Sequence, residues 1–242
     1  MKRILFIILI VINAVACEME NRLESIHLIS ELEMYVGEKI GLNVSHSPVD
    51  ALVPAYHYNT SNRYVAAVNG KGVVVGNRVG TCTIMIATAD TRFSTSCVIK
   101  VKPKNELYCE PTLDFNITRA AVKLKESSRV IIHETETMLV YQGFEDPLVQ
   151  VAYQFDENQK LTASVAKLAA NVSSDLTDFL NERYDIFPSA ENGNLLIWRG
   201  NGMEIVTRRM NNACFVVYHP FSGKSTVENA IQTIEIIRNH CK

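Results

Sequence analysis

The sequence predicts an all-β sandwich over residues 23–103, followed by an α+β domain over 105–242. The second domain is expected to be an antiparallel sheet with helices on one face. Three observations carry this reading. Apolar and polar residues alternate through the first region, as in Ile40-Leu42-Val44, Cys82-Ile84-Ile86 and Cys97-Ile99-Val101, and period-two alternation marks half-buried strands. After Pro103, strand-like runs are interspersed with segments of helical period. Ahead of both stands a stretch that fits neither: Met1-Lys2-Arg3, the apolar run Ile4 to Val11, and Ala14-Val15-Ala16-Cys17.

That start is the first element in chain order. A basic opening, an apolar core and small residues before a cleavage point make the layout of a secretory signal peptide, here residues 1–16. The apolar core is too short to span a bilayer as a helix. Cys17 after Ala14-Val15-Ala16 resembles the lipobox of bacterial lipoproteins, and the resemblance implies lipidation of Cys17, with residues 17–22 as tether. That family favours Leu where Ala14 stands, and Ala14-x-Ala16 also fits an ordinary signal peptidase, so lipidation and simple secretion share one cleavage point. Glu18, Glu20 and Glu24 resemble the surface-export signal of Bacteroidetes lipoproteins; a solvated linker would look the same.

Composition narrows the classes. With 24 basic and 26 acidic residues and a net charge of −2, the chain has no field to attract nucleic acid. No second apolar run reaches membrane-spanning length. Beyond Cys17 stand Cys82, Cys97, Cys109, Cys214 and Cys241. An oxidising compartment allows disulfides, but an odd number leaves at least one thiol unpaired within the chain. None is spaced as CxxC, the usual zinc-ribbon arrangement. The Asn-x-Ser/Thr sequons at Asn43, Asn59, Asn116 and Asn171 are chance matches behind a bacterial leader.

Within the sandwich, the strand candidates run Leu23-Ile26-Leu28, Leu32-Met34-Val36, Ile40-Leu42-Val44, Val73-Val75, Cys82-Ile86 and Cys97-Val101, the last two joined across Ala89-Asp90-Thr91. Ser61-Asn62 and Asn69-Gly70 mark turns. Cys82 and Cys97 lie symmetrically about Asp90, which fits either a cross-strand disulfide or two buried thiols. The order of pieces resembles the group 2 bacterial immunoglobulin-like domain: the turn Val36-Gly37-Glu38, Ser61-Asn62 before Val65-Ala66-Ala67-Val68, Gly72-Val73-Val74, Gly80 to Ile84, and the closing Cys97-Val98-Ile99-Lys100-Val101. The family carries Trp just before its Ser-Asn, where this chain has Tyr56-His57-Tyr58. The resemblance implies a spacer or adhesion module.

In the second domain, Thr118 to Lys125 has helical spacing with Asn116 or Thr118 as cap. Strands are expected at Arg129–Ile132, Met138–Tyr141, Leu148–Phe155 and Leu161–Val165. A helix opens at Ser173-Ser174-Asp175 and runs through Leu176, Phe179, Leu180 and Tyr184. Strands resume at Leu195–Trp198, Glu204–Arg209 and Cys214–Tyr218, and Thr226–Asn239 forms an amphipathic helix. Met138 to Gly143 matches Leu195 to Gly200 in character. This gives two α-β-β-β halves and a final helix, open to duplication or to chance likeness of strands. The plan is also similar to C-terminal domains of gut Bacteroidetes lipoproteins.

No motif names a reaction. Ser222-Gly223-Lys224-Ser225-Thr226 lacks the first glycine of a phosphate loop, since Tyr218 stands there, and reads as a helix cap by Ser225. None of His27, His46, His57, His133, His219 and His240 forms HExxH. His133 with Glu134 and Glu136 would hold a metal weakly at best. Asp175, Asp178 and Glu182 read as an exposed acidic edge. Arg199, Arg208 and Arg209 suit an anionic glycan or a solvated sheet face. Tyr141, Tyr153, Trp198 and Tyr218 form a binding platform if exposed and core if buried, and core is expected. No catalytic, metal or cofactor residue is assigned. The expectation is a non-enzymatic cell-surface or outer-membrane lipoprotein that binds a ligand or mediates adhesion. It is anchored through Cys17, with a protein or glycan partner and no nucleic acid. The alternatives are a secreted enzyme acting on glycans or peptidoglycan, and a periplasmic structural lipoprotein with a protein partner.

Overall fold

The computed structural model describes residues 22–53, 55–187, 194–210 and 212–240. The predicted signal peptide, Cys17 and Cys241 lie outside the described residues. The chain divides into two compact units between Lys102 and Pro103.

The alternating segments of the first unit form β1 (Ser25–His27), β2 (Glu31–Tyr35), β3 (Lys39–Gly41), β4 (Ser45–Ser47), β5 (Tyr56–Thr60), β6 (Ala66–Val68), β7 (Val73–Gly76), β8 (Gly80–Thr88) and β9 (Ser94–Lys102). One sheet has the order β2-β9-β8-β5, a second the order β3-β7-β6, and β1 pairs with β4. The inward residues of both sheets, among them Met34, Ala66, Val74, Ile84, Ile86 and Ile99, share one core. The unit is therefore a β-sandwich. Strand β2 runs parallel to β9, from Glu31 opposite Val98 to Tyr35 opposite Lys102.

The turn Val36-Gly37-Glu38 joins β2 to β3, and the Glu38 carboxylate accepts the Tyr35 N–H at 2.8 Å. Gly72 has φ +76°, and a Cβ there would lie 2.8 Å from Tyr58 Oη. Glycine is thus required both by the left-handed backbone and by the tyrosine lying over it. Tyr56 and Tyr58 pack against the core from β5, in the region where the resembled family places its Trp. Cys82 lies opposite Ile99, and Cys97 opposite Ile84. The two thiols are out of register by two residues, and both are buried and free. Burial raises both of their pKa values.

The second unit contains α1 (Arg119–Lys125), β10 (Ile131–Glu134), β11 (Met138–Gln142), β12 (Leu148–Phe155), β13 (Leu161–Ala169), α2 (Ser173–Asn181), β14 (Asp185–Phe187), β15 (Leu195–Gly200), β16 (Met203–Met210), β17 (Ala213–Pro220) and α3 (Val227–His240). All eight strands form one sheet in the order β10-β11-β12-β13-β17-β16-β15-β14. Each half has four strands: the four of the first half were all expected, whereas in the second three were expected and the short edge strand β14 was not. The two four-stranded halves meet at the antiparallel pair β13–β17, from Ser164 opposite Tyr218 to Ala169 opposite Ala213.

Helices on a single face are not what the structure has. Val122 of α1 and Leu176, Phe179 and Leu180 of α2 pack on one face, against Leu139, Tyr153, Val216 and Tyr218. Ala230, Ile234 and Ile237 of α3 pack on the other, against Val140, Val165, Val206 and Val217. The reason lies in the strands. Ala213 to Tyr218 is apolar in both alternating phases and buried throughout, so each face needs a cover. Thr118 caps α1, its Oγ1 accepting the Ala121 N–H at 3.4 Å. Val122 of this helix is buried, whereas Leu124 is exposed.

Candidate functional site

The face under α3 carries a cleft of about 340 Å³. Its floor is built by three interior strands, with Gln154 from β12, Thr162 from β13, and His219 and Pro220 from β17. Its wall is α3 and the residue before it, through Thr226, Asn229, Gln232, Thr233 and Ile236. A β-bulge aims one of these residues. Gln154 pairs with Ala163 and Phe155 with Leu161, so Thr162 is the extra residue. Bulges re-aim side chains in this way and recur beside functional sites. Thr162 Oγ1 donates to the Gln154 carbonyl at 3.1 Å. Thr233 Oγ1 lies 2.8 Å from Gln154 Oε1 and 2.9 Å from the Asn229 carbonyl, which fixes the Gln154 carboxamide between sheet and helix.

His219 is buried, and its Nε2 has no hydrogen-bond partner. Burial pushes its pKa below the ordinary value of 6.5, opposed by a hydrogen bond with the Thr162 backbone and by the charge of Glu204. The ring is therefore neutral at neutral pH.

Glu204, opposite His219 on β16, fastens the end of the cleft. Its side chain is fully buried and its two oxygens have different partners. Oε2 takes the Arg199 guanidinium at 2.7–2.8 Å. Oε1 accepts the Thr226 N–H at 2.5 Å, the Thr226 hydroxyl at 2.9 Å and the Ser225 hydroxyl at 3.1 Å. Burial pushes this carboxyl up, but the Thr226 N–H, Arg199 and the hydroxyls outweigh it and hold it below the usual range. The carboxylate thus sits at the N-terminus of α3, where a helix favours negative charge. Ser225, read from the sequence as the cap, donates its hydroxyl to this carboxylate. Arg199 is in turn stacked between Phe187 and Phe221, its guanidinium carbon 4.6 and 4.4 Å from the ring centroids.

The other residues singled out in the sequence lie elsewhere. Tyr141, Tyr153, Trp198 and Tyr218 are all buried on the opposite face, as expected of core. There Tyr153 donates to Glu126 and accepts the Thr112 N–H at 3.1 Å, Tyr218 meets Tyr108 at 2.5 Å, and Tyr184 donates to Glu110 at 3.0 Å. These bonds clamp the stretch 108–112 and neighbouring elements onto the sheet. Burial pushes the Cys214 thiol up to about 11.

The three arginines do not converge. Arg199 is paired with Glu204, Arg208 faces Glu235 of α3 at 3.7 Å, and Arg209 lies beside Trp198 and Cys214 across the sheet. Glu134 is held by Arg119 and Lys123, at 2.8 and 2.6 Å. Glu182 is buried rather than part of an acidic edge, and it accepts the N–H groups of Lys104 and Asn105. Among the described residues no three His, Cys, Asp or Glu side chains are grouped to hold a metal, and no helix is long and apolar enough to cross a membrane.

Sequence reasoning missed the cleft. The one signal was a polar residue, His219, ending the apolar run Ala213–Tyr218.

No family model matches the chain, and no curated protein matches it. Solved structures overlap it weakly. Domains 5–6 of the S-layer protein SbsC are 12% identical over 84% of this chain and 86% of that one, with a TM-score of 0.29. Domains 4 and 5 of SbsC are 9% identical over 84% and 89%, with a TM-score of 0.27. An intimin mutant of EHEC O157:H7 is 13% identical over 50% and 84%, with a TM-score of 0.25. At these scores the architecture rests on the chain's own strand order and register.

Proposed function

We propose that this chain is a lipid-anchored cell-surface or outer-membrane protein that binds a ligand or mediates adhesion without catalysing a reaction. In this reading the β-sandwich is a group 2 bacterial immunoglobulin-like spacer, the second unit is the binding module, and its two halves arose by duplication. Anchorage through Cys17 and similarity to gut Bacteroidetes lipoproteins complete the proposal.

One observation carries the binding role. The cleft under α3 offers hydroxyl, carboxamide and imidazole groups, while the neighbouring carboxylate, Glu204, has both oxygens engaged in holding α3. A carboxylate so committed is unavailable as a general acid or base. Neutral groups around an open space suit recognition. The address rests on residues 1–17, where a basic start, an apolar core and a Cys after small residues fit a processed, lipidated leader.

Cell fractionation tests the reading. The chain should sediment with membranes and be cut by protease added to intact cells, whereas Cys17→Ser should lose membrane retention or fail to be processed. Unchanged partitioning of the variant would remove the lipid anchor from the account.

A further inference from the structure

We infer that the cleft beneath α3 binds a neutral oligosaccharide, with Asn229 and Gln232 on the helix and Thr162 and His219 on the sheet as its hydrogen-bonding groups. This deepens, and rests on, the reading of the second unit as a binding module.

Three features of the cleft select this class of ligand. Its volume of about 340 Å³ is at the scale of small-ligand sites and admits about two sugar rings. The hydroxyls and carboxamides lining it donate and accept alike, as sugar hydroxyls do. His219 lines the cleft as well, and its Nε2, closed to solvent and without a protein partner, becomes available to a ligand by a turn of the ring.

The topology disfavours an extended peptide. Strands β12, β13 and β17 are all interior to the sheet, between β11 and β16. Their backbone groups are already paired, so a peptide cannot bind there by adding a strand. Recognition must come from side chains, and those present are small, neutral and hydrogen-bonding. A charged ligand would find no formal counter-charge among Gln154, Thr162, Asn229, Gln232 and neutral His219.

Calorimetric titration of the full chain, in a detergent without a sugar headgroup, tests this. The probes are maltotetraose, cellotetraose, mannotetraose and chitotetraose, with a pool of uncharged tripeptides in parallel. At least one sugar should bind saturably. Asn229→Ala with Gln232→Ala should weaken it by about tenfold or more while leaving the melting temperature unchanged, since both residues are exposed. Failure of all four sugars, sugar binding indifferent to the two substitutions, or saturable binding of tripeptides alone would each overturn the inference. Membrane retention through Cys17 is measured separately, so it can stand when this assignment falls.

Discussion

Glu204 keeps a charge out of water, with a side chain that is fully buried, and it does so by dividing its oxygens. One meets Arg199 and the other receives the start of α3. Removing the carboxylate strands the donors it satisfies, Arg199, which is 28% exposed, and the Thr226 N–H among them, at a cost of about 1–3 kcal/mol. Glu204→Ala should therefore lower the unfolding free energy by about that amount in urea titrations; a loss within experimental error would show that α3 is held by apolar packing alone.

His219 gives a pH dependence. Its folded-state pKa lies below 6.5, so as pH falls through 6.5 the unfolded chain takes the proton first and stability declines. Above that value both states are neutral and the residue contributes no slope. His219→Gln should flatten the decline between about pH 7 and pH 5; an unchanged slope would assign it to other groups. Neither role was legible in sequence. Six histidines looked alike there, and only the register pairing Glu204 with His219 and the bulge at Thr162 bring these residues to one end of the sheet.

At the scale of elements, periodicity located the long strands and left out what packing decides. Leu148–Phe155 is expected and found with the same ends, since Pro147 before it and the polar turn Asp156–Gln159 after it bound a run rich in β-branched and aromatic residues. Strand β14 escaped because three residues at a sheet edge carry no periodicity, and two of them, Ile186 and Phe187, are exposed. The side of the sheet that each helix covers is also absent from local pattern, because strands apolar in both phases accept a helix on either face. Helix α2 and strand β15 are joined through Trp198, which is 1% exposed and whose Nε1 donates to Asn181 Oδ1 at 2.9 Å. Trp198→Ala should cost about 3–5 kcal/mol in a thermal or urea melt. A variant as stable as the parent would mean that this side chain is not core.

For the whole molecule, the sandwich and the eight-stranded sheet are each closed by their own cores, and the account gives them different work: the sandwich spaces, and the cleft under α3 binds. Both assignments depend on export, which we propose from the first seventeen residues, since a leader is read from linear order and needs no fold. A binding site is a matter of three-dimensional convergence, so its neutral, scattered residues drew no notice in the chain. The claim that joins these scales is that the mature protein is tethered at Cys17. Mass spectrometry of the N-terminal peptide from membrane-isolated protein tests it most directly. The account predicts a peptide that begins at Cys17 and carries the added mass of a diacylglyceryl group. A peptide that retains residues before Cys17, or one that begins at Cys17 with an unmodified thiol, would contradict it.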